Sequence, residues 1–387
     1  MDDPGGIRRW SAAIEGRHPV DSTTAGPVKI GVLPGEGVGP EVVRAALGVL
    51  SAVASERGFE IALREAPPAG DGPFDPRGLT EPEACFCRDT FAAGGAVLAG
   101  AHGGRWVYEI RRRLDLFCKI SPIRPSPDLG AIDAPISPSR LADVDLLVVR
   151  EQSAGLYQGR WAESATPEGR VAEHSFSYRE SEVRRIVAAA TVLARWRRGR
   201  LGLVVKDGGV PSISRLWRDC ARELVGDDLD LEVLDVDYAV YRMLRDPAGL
   251  DVVVAPNHFG DLLSDAGGAL LGSRGSTYGG NFDAARAAIY QTNHGAAHDL
   301  AGRDRANPAG QILAAAMMLR ESFGMETEAG MIERAITKAW RHGWRTEDVA
   351  EPGCRVVGTR EMGERIADCV AARESDDAVE DRGASVR

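Results

Sequence analysis

The chain has 387 residues, is 44% hydrophobic and 27% charged, and carries a formal net charge of −10 with a pI near 5.4. That is enough apolar material for a large core and enough length for two domains, and the acidic balance argues against nucleic acid or an anionic membrane as the main partner. No apolar run reaches the roughly 18 residues a membrane helix needs, and residues 1–26 lack the apolar core of a signal peptide. Six cysteines are scattered at positions 85, 87, 118, 220, 354 and 369. Cys85 and Cys87 stand too close together for a zinc knuckle and no second pair accompanies them. Reduced cysteines in a cytoplasmic protein are therefore expected.

Residues 1–26 and 375–387 are polar or acidic with little apolar content and predict disordered tails. Between them the chain alternates α and β patterns. Val28–Leu33 reads as a strand, residues 40–54 as an apolar-periodic helix, and residues 96–101 as a second strand rich in small side chains. Residues 145–150 and 201–206 are apolar runs that each end in a basic residue, Arg150 and Lys206. Such runs suit strands buried on both faces, with chemistry at their ends. Residues 311–321 and 328–342 read as late helices. The loop at residues 33–41 follows a strand and opens a helix, as a dinucleotide-binding loop does. Its glycines at 35, 37 and 39 are spaced G-x-G-x-G, and the third position of G-x-G-x-x-G falls on Pro40, which speaks against a Rossmann phosphate cradle.

The most informative stretch runs from Asn257 to Asp265, just after the apolar run at residues 252–255. On a helix Asp261 and Asp265 project from one face, a turn apart. One reading is an acidic, solvated first turn favoured by the macrodipole. The other is a divalent cation between two carboxylates, whose hard oxygens suit Mg²⁺ or Mn²⁺.

Eight blocks in order give the chain a specific resemblance. They are the loop at 33–41, residues 111–125, residues 149–159, Lys206, Asp237, residues 257–265, residues 294–308, and Gly358-Thr359-Arg360-Glu361-Met362-Gly363. Together they resemble the β-decarboxylating dehydrogenases, the family of isocitrate, 3-isopropylmalate, homoisocitrate and tartrate/D-malate dehydrogenases, from about residue 29 to 370. The resemblance implies a two-domain α/β isopropylmalate dehydrogenase-like fold and not a Rossmann fold. One domain would join residues 27–116 with 272–374, and the other, residues 117–271, would carry the dimer contacts.

The resemblance also implies roles. Asp261 and Asp265 of one subunit and Asp237 of its neighbour would hold Mg²⁺ or Mn²⁺ in a homodimer with shared active sites. Lys206 matches the lysine that helps deprotonate the substrate hydroxyl. Of the 47 basic residues only four are lysines, and keeping one here fits a need for an amine that titrates, which arginine does not. A solvated strand-end lysine is the plainer alternative. Tyr157 matches the acid that protonates carbon after CO₂ leaves. Arg111 and Arg150 match two of the family's three substrate-carboxylate arginines.

The third arginine is missing. Asp115-Leu116-Phe117 is followed by Cys118-Lys119-Ile120-Ser121-Pro122, so Ser121 stands in its slot, and Lys119, Arg124 or an arginine from Arg111-Arg112-Arg113 are the candidates to restore the charge. Only six residues, 105–110, separate Gly104 from Arg111, a shorter loop than the family's usual one. Arg105, Trp106 and Tyr108 in it suggest a polar, anionic or flat substituent. By resemblance Val38, His294, Gly295, Ala296, Ala297, Asp299 and Asn307 line the cofactor, and an acid at 299 favours NAD over NADP. The implied activity is NAD- and metal-dependent oxidative decarboxylation of a small-molecule 3-substituted malate. The alternatives are a 3-isopropylmalate or isocitrate dehydrogenase, and a non-catalytic regulatory subunit.

Overall fold

A computed structural model describes residues 9–17, 26–66, 78–129 and 136–371. The expected tail at 375–387 lies outside the described residues, as do 1–8 and 18–25. Residues 9–17, expected to be loose, are instead docked. A short 3-10 turn at Trp10–Ala13 places the backbone N–H groups of Trp10 and Ser11 at 3.1 and 2.8 Å from the buried Glu321 carboxylate. Arg17 donates to Asp283 Oδ1 at 3.2 Å and to the Ala287 carbonyl at 3.0 Å. Composition missed this because the anchors are few and specific, not a continuous apolar stretch.

The fold centres on one ten-stranded mixed sheet. Its strands are β1 (Val28–Leu33), β2 (Ile61–Glu65), β3 (Ala96–Ala99), β4 (Cys118–Ile123), β5 (Leu146–Glu151), β8 (Arg200–Val205), β9 (Asp230–Asp235), β10 (Val252–Ala255), β11 (Tyr278–Phe282) and β12 (Ala288–Thr292), in the order β2-β1-β3-β12-β11-β4-β5-β10-β8-β9. The pairing is antiparallel at β12–β11, β11–β4 and β4–β5 and parallel elsewhere. This is not the strand order of a doubly wound nucleotide-binding sheet. The strands before residue 100 and after 277 form one side, and those between 118 and 255 the other. Two further strands, β6 (Arg160–Thr166) and β7 (Gly169–Ser175), form a hairpin exposed along its whole length.

Every residue of β4, β5 and β10 is buried, which explains their near-continuous apolar runs. The observed limits differ from the sequence pattern by a few residues at most. The expected strand at 96–101 stops at Ala99, and the helix expected at 40–54 spans Gly39–Arg57, with Pro40 and Glu41 in its first turn and Gly58 closing it in the left-handed region at φ 69°. The helix Asn257–Leu270 lies close on β4 and β5 because small residues face the sheet. A Cβ on Gly260 would stand 2.7 Å from the Arg150 side-chain stem, and one on Gly267 2.3 Å from Ile123. That approach carries the Asp261 side of the helix to the ends of β5 and β10.

Glu321→Ala should leave the buried Ser11 N–H and the part-buried Trp10 N–H without their acceptor, at a cost of about 2 kcal/mol. The expected result is a lower Tm and proteolytic cleavage within residues 9–17 that the parent resists. An unchanged cleavage pattern would show that the docking contributes nothing.

Candidate active site

Arg150, at the end of β5, is 1% exposed. Its Nε and Nη2 donate to Asn257 Oδ1 at 3.2 and 2.8 Å, and its Nη1 pairs with Asp261. Asn257 opens the helix that carries Asp261, so the guanidinium ties strand end to helix start. Asn257 is itself held, its Nδ2 donating to the Ala154 carbonyl at 2.8 Å and its backbone N–H to Tyr178 Oη at 2.9 Å.

Three more groups converge here. Arg111, 5% exposed, comes from the helix Trp106–Arg113, and its guanidinium lies 5.8 Å from the Tyr108 ring centroid. Lys119, 2% exposed, stands directly across from Arg150 in the β4–β5 pairing, so both side chains leave the same sheet face. Tyr157 sits on a 3-10 turn at Leu156–Gln158, its ring 5.8 Å from the Arg150 guanidinium and its hydroxyl 3.1 Å from His258 Nδ1.

The charges act on one another. Burial works to raise the Asp261 carboxyl, but Arg150, Lys119 and Arg111 outweigh it and hold the group below the ordinary carboxylate value. Burial, then the neighbouring Arg150, lowers Arg111 to about 9. Burial, then Arg111 and Arg150, push Lys119 well below a lysine's ordinary value. Burial, then the Asp261 charge, raises Tyr157 to about 12, so its hydroxyl stays protonated at neutral pH.

The structure brings Tyr157, Arg111, Arg150, Asp261 and Lys119 together. It does not bring Lys206 or Asp237 to them within one chain. Lys206 Nζ donates to Asp237 Oδ1 at 2.6 Å and to Asp235 Oδ2 at 3.2 Å. Asp237 starts the helix Val236–Arg245, which also exposes Tyr238, Tyr241 and Leu244. Asp265 is paired with Arg274 at 3.0 Å. Among the described residues no group of three acidic, histidine or cysteine side chains gathers to hold a metal.

Two residues considered for the substrate side are engaged elsewhere. Arg124 Nε donates to Asp145 at 2.6 Å and its guanidinium lies over Trp10. Trp106 is buried, stacks on His102 at 3.6 Å and donates to Glu83 Oε1 at 3.1 Å. Ser121 is buried two residues along β4 from Lys119, on the same face, and its Oγ accepts from Asn293 Nδ2 at 3.2 Å. Arg105 donates to the Tyr157 carbonyl at 3.2 Å and lies over the Tyr108 and Trp161 rings at 5.3 and 4.8 Å.

A second face joins the loop after β1 to residues 294–300. The Val38 N–H donates to the Ala296 carbonyl at 2.9 Å. A Cβ on Gly37, at φ 58°, would stand 1.9 Å from that same carbonyl oxygen, so only glycine lets the two loops touch. His294 Nδ1 lies 2.9 Å from the Gly295 carbonyl, and Ala297 holds a positive φ of 44°. Asp299 is exposed. Asn307 is buried, its Nδ2 donating to Asp348 Oδ2 at 3.1 Å and its Oδ1 accepting from the Ala309 N–H at 2.9 Å.

Sequence reasoning passed over Asn257, His258 and Tyr178 as individual residues. The signal for Asn257 was its place at a helix start directly after a buried strand. Nothing local marks Tyr178, whose partner lies 79 positions along the chain.

This topology and cluster place the molecule in an α/β dehydrogenase class distinct from the Rossmann enzymes. The sequence profile described as isocitrate/isopropylmalate dehydrogenase matches residues 29–366, and the chain belongs to that family. It is 38% identical over 356 residues to a 3-isopropylmalate dehydrogenase of Moorella thermoacetica, covering 87% of this chain and 98% of that protein. A 3-isopropylmalate dehydrogenase of Geobacillus kaustophilus is 38% identical over 369 residues, 89% of this chain and 96% of that one. The crystal structure of isocitrate dehydrogenase from Methylococcus capsulatus is similar with a TM-score of 0.76 at 29% identity, covering 89% of this chain and all of that one.

Proposed function

We propose that the protein is an NAD- and divalent-metal-dependent oxidative decarboxylase of a 3-substituted malate, acting in the cytoplasm as a homodimer with shared active sites. The observation that carries this reading is the set of two helix-borne carboxylates, Asp261 and Asp265, beside the buried Arg111 and Arg150. Residues 27–116 with 272–374 form the proposed cofactor domain, and residues 117–271 the domain that meets the partner.

The donor set fits a hard cation. Asp261 and Asp265 share a helical face, both remain part-exposed, and both are oxygen donors. Two carboxylates are too few, and the third comes from Asp237 of the partner subunit. Asp237 is exposed at the start of a helix whose large apolar side chains are also exposed, as a subunit contact requires. Because Lys206, just after β8, is bonded to Asp237, the same exposed face would deliver both. For NAD, the exposed Asp299 carboxylate fits the ribose hydroxyls and would repel a 2′-phosphate, while Val38, His294, Gly295, Ala296, Ala297 and Asn307 shape the surface beside it.

When bound, the cation supplies a Lewis acid beside the substrate hydroxyl and α-carboxylate, and NAD supplies the hydride acceptor. The protein's own groups do the rest. Arg111 and Arg150 orient the two carboxylates. Lys206 of the partner subunit holds the proton that leaves the hydroxyl oxygen. Tyr157, kept protonated by burial and by Asp261, gives its proton to the carbon that loses CO₂, with His258 against its hydroxyl. Arg105, between Tyr108 and Trp161, and Ser121 favour a polar or anionic substituent, such as a carboxylate or phosphonate, over isopropyl. The names of the relatives favour 3-isopropylmalate or isocitrate instead, and Ser121 with the short loop counts against both. Retention of all three aspartates, Lys206 and Tyr157 counts against a regulatory subunit.

NADH formation should be measured with Mn²⁺ across a panel of substituted malates. We expect an anionic-substituted malate to exceed 3-isopropylmalate by about 100-fold in kcat/KM, the scale of one lost charge-assisted contact. NAD should exceed NADP by about tenfold. Full activity in EDTA, or efficient turnover of 3-isopropylmalate, would overturn the reading.

Shared sites make a second prediction. Lys206→Met and Asp261→Asn should each abolish turnover alone. Co-expressed, they should recover activity, because a mixed dimer keeps one site with an intact Asp261 and a partner's intact Lys206. No recovery from mixed dimers would place both residues in one subunit's site.

A further inference from the structure

The buried cations beside Asp261 are out of balance. Arg150 has Asp261 and Asn257 as partners. The Arg111 guanidinium and the Lys119 amine make no hydrogen bond or ion pair among the described residues, although they are 5% and 2% exposed. Lys119 and Arg150 are also directly opposed across an antiparallel pair, an arrangement that like charges disfavour. The remaining nearby carboxylate, Asp265, is taken by Arg274. Three basic groups thus face one carboxylate, and two of them have no hydrogen-bonding or ionic partner among the described residues. Unpaired buried charge is costly, and a fold that keeps it does so for a ligand.

We propose that Lys119 is a substrate-binding residue, and that with Arg111 and Arg150 it forms a three-cation cradle that selects a dianion of dicarboxylate chemistry. This rests on the malate reading above and deepens it by naming the residue that supplies the third positive charge. Position along the strand explains how the exchange works. Lys119 and Ser121 are two residues apart on β4 and leave the same face, so a cation moved from 121 to 119 still points into the same pocket. Ser121 instead engages Asn293. The lysine is a point donor and not a planar fork, so it would hold one carboxylate oxygen, while the unpaired Arg111 fork is free to take a carboxylate bidentately and Arg150, tied to Asn257 and Asp261, adds its charge. The depression of the Lys119 amine by burial and by both guanidiniums fits a group whose charge is completed by an anion.

The test is calorimetric binding of malonate to the full-length protein in EDTA without NAD, comparing Lys119→Met and Lys119→Arg with the parent. Lys119→Met should weaken malonate about tenfold or more, the scale of one buried charge-assisted bond. Lys119→Arg should stay closer to the parent. The Met variant should also have a higher Tm without ligand, since it removes a buried group with no partner, and should lose the upward shift in Tm that malonate gives the parent. Equal affinity in the Met and Arg variants, or parental affinity in the Met variant, would overturn the proposal. If neither variant folds, reductive methylation of the parent decides, because the chain has only four lysines to map. Malonate should protect the peptide carrying Lys119. An unprotected or never-modified Lys119 would overturn the proposal. The binding test reads no turnover and the NADH assay of the parent reads no single residue, so a parent inactive in that assay that still binds malonate through Lys119 would defeat the dehydrogenase reading alone, and an active parent whose malonate binding ignores Lys119 would defeat this one alone.

Discussion

The site depends on how one buried guanidinium is held. Arg150 leaves the end of β5, passes beneath Gly260, and ends between Asn257 and Asp261. A charge this deeply buried is stable only if paired and hydrogen-bonded, and both partners come from the same helix. The arginine therefore sets the height and rotation of that helix on the sheet. Gly260 is part of the same device, since any side chain there would displace the Arg150 stem. Once the helix is fixed, Asp261 faces the site and Asp265 follows one turn later.

The second constraint is electrostatic. One chain presents a pocket rich in basic groups, with Arg111, Lys119 and Arg150 around a single carboxylate, and elsewhere it presents Asp237 on an exposed helix, bonded to Lys206 just after β8. Each half is chemically incomplete. The cationic pocket asks for an anion, and the exposed acid–lysine pair asks for a surface to meet. In the proposed homodimer the helix of one subunit would meet the pocket of the other, leaving the cations of that pocket for the anionic substrate.

Much of this was legible in the sequence, for identifiable reasons. The central strands announced themselves because burial on both faces demands unbroken apolar runs, and Arg150 and Lys206 were marked by ending such runs. Asp261 and Asp265 were marked by helical spacing. What escaped is tertiary. Tyr178 reaches Asn257 across 79 positions, and Glu321 captures the Trp10 and Ser11 backbone across more than 300, so no local pattern reports either. Trp106 misled for the same reason, since an aromatic in a short loop looks like a binding residue until His102 and Glu83 are seen to enclose it. Lys119 and Arg124 were equal candidates for the missing charge by proximity in sequence, and only strand register and the Asp145 pairing separate them.

The central claim is that two chains build one metal-binding acidic site around the Arg150-anchored helix. Anomalous diffraction from crystals grown with Mn²⁺ tests it most directly. The account predicts a peak bounded by Asp261 and Asp265 of one subunit and Asp237 of the partner subunit. A peak held within a single chain, or none near Asp261 at saturating Mn²⁺, would contradict it.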